Sequence, residues 1–360
     1  MGSGWAGAVQ LEVEVDGAAV SALAYPDLVG PTPVGAQVLL NVSAQARGLG
    51  TGGYALVVAR TDVLPDDPPP GPGHLVKARY TPLQTMVLGV DDQESPHHAA
   101  LVDADDLAGM PVVVADLHSA LPAVLAGARH RATLVGGPPP RVAYVMTDGG
   151  ALPVAFSRTV AMLREAGWLT ACLSVGQAYG GDLEAVTVHT GLLAARVVLG
   201  VDLVVVAQGP GNLGTGTRWG FSGVAAGEAI NAAAVLGGRP GAALRVSGAD
   251  ARGRHLGVSH HSLTAYGRVA LAPADVVVPR LTGDLAALGA RVAEQAGALA
   301  TAPARHRMVE VDAGGELLEA LRHTPVRLST MGRGLDEDPA AFLASAAAGV
   351  HAHALALATP

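Results

Sequence analysis

The sequence predicts an α/β protein: a doubly wound, mostly parallel sheet of Rossmann-like type, preceded by a small N-terminal all-β domain. Three observations carry this. From about residue 111 onward, short apolar segments alternate with Ala-rich stretches of helical character, the order that builds parallel sheets through right-handed crossovers. Apolar segments such as VDLVVVA at 201–207 lack polar alternation, as strands covered on both faces do. The first sixty residues do alternate: Val9, Leu11, Val13 and Val15 are set between Gln10, Glu12, Glu14 and Asp16. That is the pattern of a half-exposed strand, and Gly17 then turns the chain.

Within residues 1–64, two further strands fall near 36–42 and 54–60, separated by GLGTGG, which makes a small barrel or open sheet. PDDPPPGPG at 65–73 is a linker, because clustered Pro and Gly suit neither a helix nor a central strand. A connecting β/α region over 74–135 leads into the core. After the break GGPPPR, residues 136–360 form the Rossmann-like domain. Strands are expected at 111–117, 141–147, 168–175, 201–207, 241–247, 274–278, 307–311 and 325–330. Helices are expected near 121–130, 152–166, 182–199, 222–236, 260–270, 283–299, 315–322 and 339–355. No fixed-period repeat is present.

Composition narrows the function classes. The chain has 360 residues, 50% hydrophobic and 15% charged, with a net charge of −8. The apolar fraction excludes disorder. Net acidity without a basic, aromatic-interleaved cluster argues against nucleic acid as a partner. The N-terminus lacks the charged and apolar regions of a signal peptide. No apolar run is expected to reach the ~18 uncharged residues of a membrane span, so no membrane association is expected. The single Cys172 fits a reducing cytoplasm, and its mid-strand position fits a small core residue. Of the 23 basic residues, 22 are Arg and one is Lys77, a bias expected of a GC-rich genome. Lys77 stands out as a candidate ligand contact.

Open α/β sheets bind ligands beyond the carboxyl ends of their strands, and the residues there are chemically rich. After strand 201–207 comes the loop QGPGNLGTGTRWGFSG, which holds 6 of the 47 glycines. Gly209, Gly211 and Gly214 satisfy G-x-G-x-x-G. With Asn212, Thr215, Gly216, Thr217 and Arg218, they offer backbone N–H groups and a guanidinium to an anion. The expected helix begins only near Ser222, which weakens a dinucleotide reading. A purely connecting loop, with glycines serving positive φ, is the alternative.

Asp116 and His118 form D-x-H at a strand end, the spacing that opens a divalent-metal site, but the further motifs of such sites do not follow, and capping of the helix that begins near Leu121 by Asp116 or Ser119 is the plainer reading. His260 and His261 stand at a helix start. There a neutral imidazole is favoured, but successive helical residues diverge, so one of the two is expected to face a ligand. Asp148 in TDGG serves as general base or as cap. His189, inside a predicted helix, reads as a core residue. Asp338 before Pro339 reads as a helix cap, and Arg333 adds a cation to the ligand edge.

Seven segments together resemble the bacterial family known as domain of unknown function 3866. They are GHLVKARYTPLQ, DLHSALPAVLAG, TDGGALP, VGQAYGGDLEAVTVHTGLLAA, QGPGNLGTGTRWGFSG, SHHSLTAYGRVAL and TMGRGLDEDPAAF. The resemblance runs over nearly the whole chain. It implies a bacterial, cytoplasmic protein, and the composition points to an actinobacterial source. It brings no activity, so the chemistry rests on the residues.

The residues favour an enzyme with hydrolase-type acid/base chemistry on a small anionic or phosphorylated metabolite. Gly209–Arg218 and Arg333 hold the anion. Asp148, His260, His261 or His118 act as acid or base, and Asp116 with His118 assists or binds a divalent metal. A non-catalytic ligand sensor or scaffold is the alternative, followed by a dinucleotide-dependent oxidoreductase. A homo-oligomer is compatible with either.

Overall fold

The computed structural model describes residues 4–64 and 70–358. Residues 65–69, the greater part of the expected linker, lie outside the described residues. The N-terminal strands β1 (Gly4–Trp5), β2 (Ala8–Val15), β3 (Ala18–Ala24), β4 (Val38–Asn41) and β5 (Ala55–Arg60) form one sheet in the order β1-β2-β3-β5-β4. Its pairings are antiparallel except β3 with β5. The short helix α1 (Pro26–Val29) adds Val29 to a core of Ala22, Ala24, Ala55 and Val57. A hairpin of β6 (Leu75–Lys77) and β7 (Thr85–Val87), then the helix α2 (His98–Leu101), lead to the main sheet.

That sheet is eight-stranded, and every neighbouring pair in it is parallel. In chain order its strands are β8 (Pro111–Val114), β9 (Val142–Thr147), β10 (Ala171–Ser174), β11 (Leu183–Glu184), β12 (Leu203–Gln208) and β13 (Arg239–Ala243), and later β16 (Asp275–Leu281) and β17 (Arg307–Ala313). Between β13 and β16 lies the small hairpin β14 (Val246–Ser247) and β15 (Gly257–Val258), and after β17 comes β18 (Ser329–Thr330) with β19 (Arg333–Gly334). The spatial order is β11-β10-β9-β12-β8-β13-β16-β17. The expected α/β class is therefore the observed one.

Two strand expectations change. The segment 325–330 does not join the sheet; its last two residues form β18 in a separate hairpin. The remaining sheet strand is instead β11, at the opposite edge, within the stretch expected to be helical from 182. There Glu184 is fastened by the Ser174 hydroxyl and by Gly180 and Gly181 N–H groups, so the helix starts only at Val188 with Thr187 as its cap. The α/β unit also begins before residue 136, because β8 lies in mid-sheet.

The helices are α3 (Leu121–Leu134), α4 (Arg158–Glu165), α5 (Val188–Val197), α6 (Ala225–Val235), α7 (His260–Thr264), α8 (Ala286–Gly297), α9 (Gly315–Arg322) and α10 (Pro339–Leu357). Alternate strand residues point to opposite faces, and the core divides accordingly. Val112, Val114, Val204 and Val206 pack with Leu192 of α5 and Ile230 of α6. Val113, Tyr144, Leu203 and Val205 pack with Leu121 and Leu125 of α3, Leu163 of α4 and Ala347 of α10. Thus α3, which follows β8, and α6, which follows β12, leave adjacent strands toward opposite faces. The carboxyl ends there form the switch-point crevice of a doubly wound sheet.

One composition-based expectation is corrected by α10. Its 19 residues carry no Asp, Glu, Lys or Arg, so it is long and apolar enough to cross a membrane. In the fold it is a core helix, with Phe342, Leu343, Ala344 and Ala346–Ala348 buried and α3 alongside it. The gentle, charge-free composition reflects burial between helix and sheet.

Candidate functional site

The residues beyond β8 and β13 converge. Asp116 follows β8 and is 3% exposed. Its Oδ2 is buried without a hydrogen-bond partner and lies 3.7 Å from both Arg245 Nη1 and His261 Nδ1. Arg245 follows β13, and its Nη1 donates to His261 Nδ1 at 2.9 Å. The backbone holds this arrangement. Ser259 N donates to Arg245 O, and Arg245 N donates to Ser262 Oγ, so the start of α7 is clamped onto the end of β13.

Ser259 also explains why α7 starts where it does. Its hydroxyl caps the helix by accepting from His261 N at 3.2 Å. The same hydroxyl lies 2.8 Å from His255 Nδ1. Because Arg254 Nε donates to His255 Nε2 at 3.3 Å, the His255 proton sits on Nδ1 and is given to Ser259. His260 Nε2 is buried without a partner. The three imidazoles His255, His260 and His261 present one ring nitrogen each within 4.8 Å of one another, with ring centroids 4.4–5.1 Å apart. Phe221 stacks flat on His261 at 3.8 Å.

The expectation that only one of His260 and His261 faces a common point is therefore corrected. His260 is the first residue of α7, where the chain is turning, so the angular spacing of a continuous helix does not apply. Burial, followed by the nearby Arg245 and Arg252, lowers the pKa of His255 to about 3. Burial, followed by His261 and Arg254, lowers that of His260 to about 4. Both imidazoles are neutral at physiological pH.

A small cleft opens beside this cluster, lined by Asp116, Arg245, Ser247, Asp250, His255 and Arg333 among others. Arg333 does reach the ligand edge, but its guanidinium is engaged. Nε donates to Asp338 Oδ2 at 3.2 Å and Nη2 lies 3.4 Å from Asp250 Oδ2. Asp338 occupies the cap position before Pro339 without capping through its side chain. Its carboxylate instead accepts from Ser247 Oγ and from Gly248 N at 2.9 Å. Asp250 is held well below the ordinary carboxylate range by its paired hydrogen bonds with Arg252.

The glycine loop differs from the expected anion cradle. Leu213 N donates to Ser222 Oγ, Thr215 N to Gly220 O, and Gly220 N to Thr217 Oγ1. Asn212 Oδ1 accepts from Gln208 Nε2 and Ser222 Oγ. These donors close the loop on itself, and the following helix begins eleven residues past Gly214. Gly209 is buried against Leu152 and Met146, whereas Gly211, with φ +99°, and Gly216, with φ +81°, supply left-handed turns. Gly214, Thr215, Thr217 and Arg218 are exposed. What the loop contributes to the cluster is Phe221 against His261 and the approach of Gly216 to the Arg254 guanidinium.

Other candidates stand apart. His118 does not pair with Asp116. Its Nε2 meets Ser157 Oγ at 2.8 Å, and its Nδ1 meets the Tyr144 hydroxyl at 3.0 Å. Both ring nitrogens are thus used, and none is left for a metal beside Asp116. Asp148 is exposed and accepts from Gly150, Ala151 and Gln177 N–H groups, which makes it a turn organiser. Lys77, expected to touch a ligand, is buried. Its ammonium donates to Gly176, Ala178 and Ala185 carbonyls beside Glu184. His189 is exposed, not a core residue, and Cys172 is buried as a free thiol.

Arg245 is the site residue that sequence reasoning did not name; His255 and Arg254 stand among the polar residues that follow strand 241–247, but no role was assigned to either. The signal was H-x₄-H-H with a serine just before the pair, but only the hairpin β14–β15 makes the two ends meet.

Fold and site together define a doubly wound α/β protein with a histidine-rich polar site at the carboxyl edge of its main sheet, beside the switch point. The chain belongs to the family described as protein of unknown function DUF3866, whose match spans residues 21–349 and so takes in the whole main sheet and part of the N-terminal one. No curated protein and no solved structure is detectably similar to the chain.

Proposed function

We propose that the protein is an enzyme that hydrolyses a small anionic metabolite, a phosphorylated one in the simplest case, at the edge between β8 and β13. The observation that carries this is the buried, unpaired Asp116 Oδ2 beside neutral imidazoles, one of which has an uncommitted Nε2. Burying such groups without partners is costly, and that cost is most often met where a reacting ligand completes the contacts. His260 takes a proton from the attacking water and returns it to the leaving oxygen, and Asp116 stabilises the charge that develops on the imidazoles. Arg254 is exposed, and no carboxylate lies within ion-pair distance of it among the described residues, so it is the cation for the substrate's charge. Arg218 on the neighbouring loop is the second. Acid–base catalysis of this kind supplies about 10²–10⁴-fold. The same reading takes the protein to be bacterial and cytoplasmic, in keeping with its one buried free thiol.

The test is incubation of purified protein with a metabolite mixture and with defined phosphate esters and anhydrides, followed by mass analysis. Consumption of one anionic species is expected. His260→Ala should cut kcat by about 100-fold or more, and Arg254→Ala should raise KM by about tenfold, a loss of ~1.4 kcal/mol in binding. A ligand retained on the protein but never consumed overturns hydrolysis and leaves the sensor reading in its place.

A further inference from the structure

We infer that His255, His260 and His261 form a binding site for a divalent transition-metal ion, zinc by the chemistry of its donors, with Asp116 positioning His261 behind it. The inference deepens the proposed hydrolase and rests on that reading for what the metal does, though not for whether it binds. The donor set comes first. Three imidazoles without a thiolate or a direct carboxylate suit a borderline cation such as Zn²⁺, not Mg²⁺ or Ca²⁺. Three protein ligands that leave a fourth position free are the composition of a catalytic zinc site.

Geometry comes second. The three ring nitrogens already lie within 4.8 Å of one another. Bonds of about 2.0–2.1 Å to a tetrahedral ion bring such nitrogens to roughly 3.4 Å apart, a contraction that side-chain rotation alone can supply. In His255 the Nδ1 proton is committed to Ser259 Oγ, so the ion would bind at Nε2, displacing the long 3.3 Å contact that this nitrogen accepts from the exposed Arg254. In His260 the buried Nε2 has no partner at all. In His261 the outward Nδ1 faces Asp116 Oδ2 at 3.7 Å. A metal-ligating histidine commonly donates its other N–H to a carboxylate, and Asp116 Oδ2, a buried carboxylate oxygen with no hydrogen bond of its own, stands beside this ring.

Arg245 belongs to the same environment and opposes a second cation. Its Nη1 donates to His261 Nδ1, which leaves the His261 proton on Nε2. Metal binding at Nε2 moves that proton to Nδ1, toward Asp116, and shifts the Arg245 contact to the same carboxylate 3.7 Å away. The ion therefore exchanges one hydrogen-bond pattern for another and leaves Asp116 satisfied in place of unpaired. A water on the fourth position would lose its proton near neutral pH and would supply the nucleophile of the proposed hydrolysis in place of proton transfer to His260, whose Nε2 would then be a ligand.

The test uses tag-free full-length protein, stripped with a chelator, equilibrated with zinc chloride, desalted and measured by elemental mass spectrometry. One zinc per chain is expected, and cobalt substitution should give the intense visible absorption of a four-coordinate ion. His260→Ala and His261→Ala should each weaken zinc binding by more than about 100-fold, and Asp116→Asn by about 10–100-fold, the usual effect of losing a carboxylate behind a ligand. His189→Ala, on the exposed side of α5, should leave binding unchanged. Should His261→Ala unfold for want of its stacking with Phe221, the half-buried His260 decides the matter alone. Wild-type protein that takes up less than a tenth of an equivalent, or a folded His260→Ala that binds as tightly as wild type, overturns the site. Zinc bound without turnover upholds the site and counts against hydrolysis. Undiminished turnover in stripped protein upholds hydrolysis and overturns the metal's part in it.

Discussion

Asp116 Oδ2 lies 3.7 Å from His261 Nδ1, buried and without a hydrogen bond, where β8 ends and α7 begins. The carboxylate and the ring come from segments some 145 residues apart, brought together by the parallel pairing of β8 with β13. If Asp116 acts by stabilising charge on His261, its replacement by Asn removes charge without changing shape. The expected result is a fall in kcat of about 10²–10⁴-fold with KM little changed, because substrate charge is met by Arg254. Steady-state kinetics on the substrate found in the metabolite screen decides it. An equal rise in KM with kcat preserved would place Asp116 in binding instead.

Lys77 is the only lysine of the chain, and its role is structural. Its ammonium donates to three carbonyls at 2.7–3.1 Å and lies 3.4 Å from Glu184. Burial lowers the Lys77 pKa and raises that of Glu184, while each partner's charge offsets part of the other's shift. Lys77→Met leaves Glu184 and three carbonyls without their cation and is expected to cost about 3–5 kcal/mol in denaturant unfolding. Lys77→Met combined with Glu184→Gln should recover part of that loss. Lys77→Arg should not, since a planar guanidinium does not match three carbonyls arranged around a point donor. Full stability in Lys77→Arg would contradict this account.

These two clusters show what the sequence makes legible and what it hides. Long, uniformly apolar runs bounded by Gly and Pro announce their strands, and α9 falls at the residues expected of it, because burial on both faces leaves one local solution. The two-residue strand β11 announces nothing. It exists because Glu184 and Ser174 bond to each other and Lys77 backs them from a distant hairpin. The ligand edge was legible from topology alone, and His260, His261 and Asp116 were found there. The part played by His255 was not legible, nor was Arg245, since both depend on contacts between a hairpin and a strand end. The glycine loop is hard to read for a related reason. Whether an amide is free for an anion depends on which residue across the loop accepts from it, and G-x-G-x-x-G says nothing of Gly220 or Ser222.

His118 gives a pH signature. Burial lowers its pKa to about 4, against an ordinary value near 6.5, and the ring is neutral between Ser157 and Tyr144. Below about pH 6.5 the unfolded chain takes up a proton that the folded chain refuses until about pH 4. The stabilisation is complete above that window and is lost as pH falls through it, with a slope of up to about 1.4 kcal/mol per pH unit. His118→Gln removes the titration. Its unfolding midpoint should fall less steeply than that of wild type between pH 6.5 and 4.5. Parallel profiles for the two proteins would show that the buried ring is already protonated or is not coupled to folding.

The contact of α3 with α10 yields a prediction with two signs. A Cβ built on Gly127 would overlap the Ala346 carbonyl oxygen, and one on Gly349 the Val124 carbonyl oxygen. Each helix thus lays backbone against the other's glycine, and backbone cannot turn aside as a side chain would. Elsewhere in a helix, Gly→Ala gains about 0.5–1 kcal/mol by restricting the unfolded chain. At Gly297, the exposed last residue of α8 with open space around its Cα, that gain should appear in full. At Gly127 and Gly349, forced separation of the helices should outweigh it and leave a net loss of about 1–3 kcal/mol. Because the same α10 residues help close the cleft beside Asp116, with Ala341, Phe342 and Ser345 among its walls, Gly349→Ala should also depress turnover. Denaturant unfolding of the three variants measures the signs together. A stabilised Gly349→Ala would mean that the helices sit farther apart than their glycines imply.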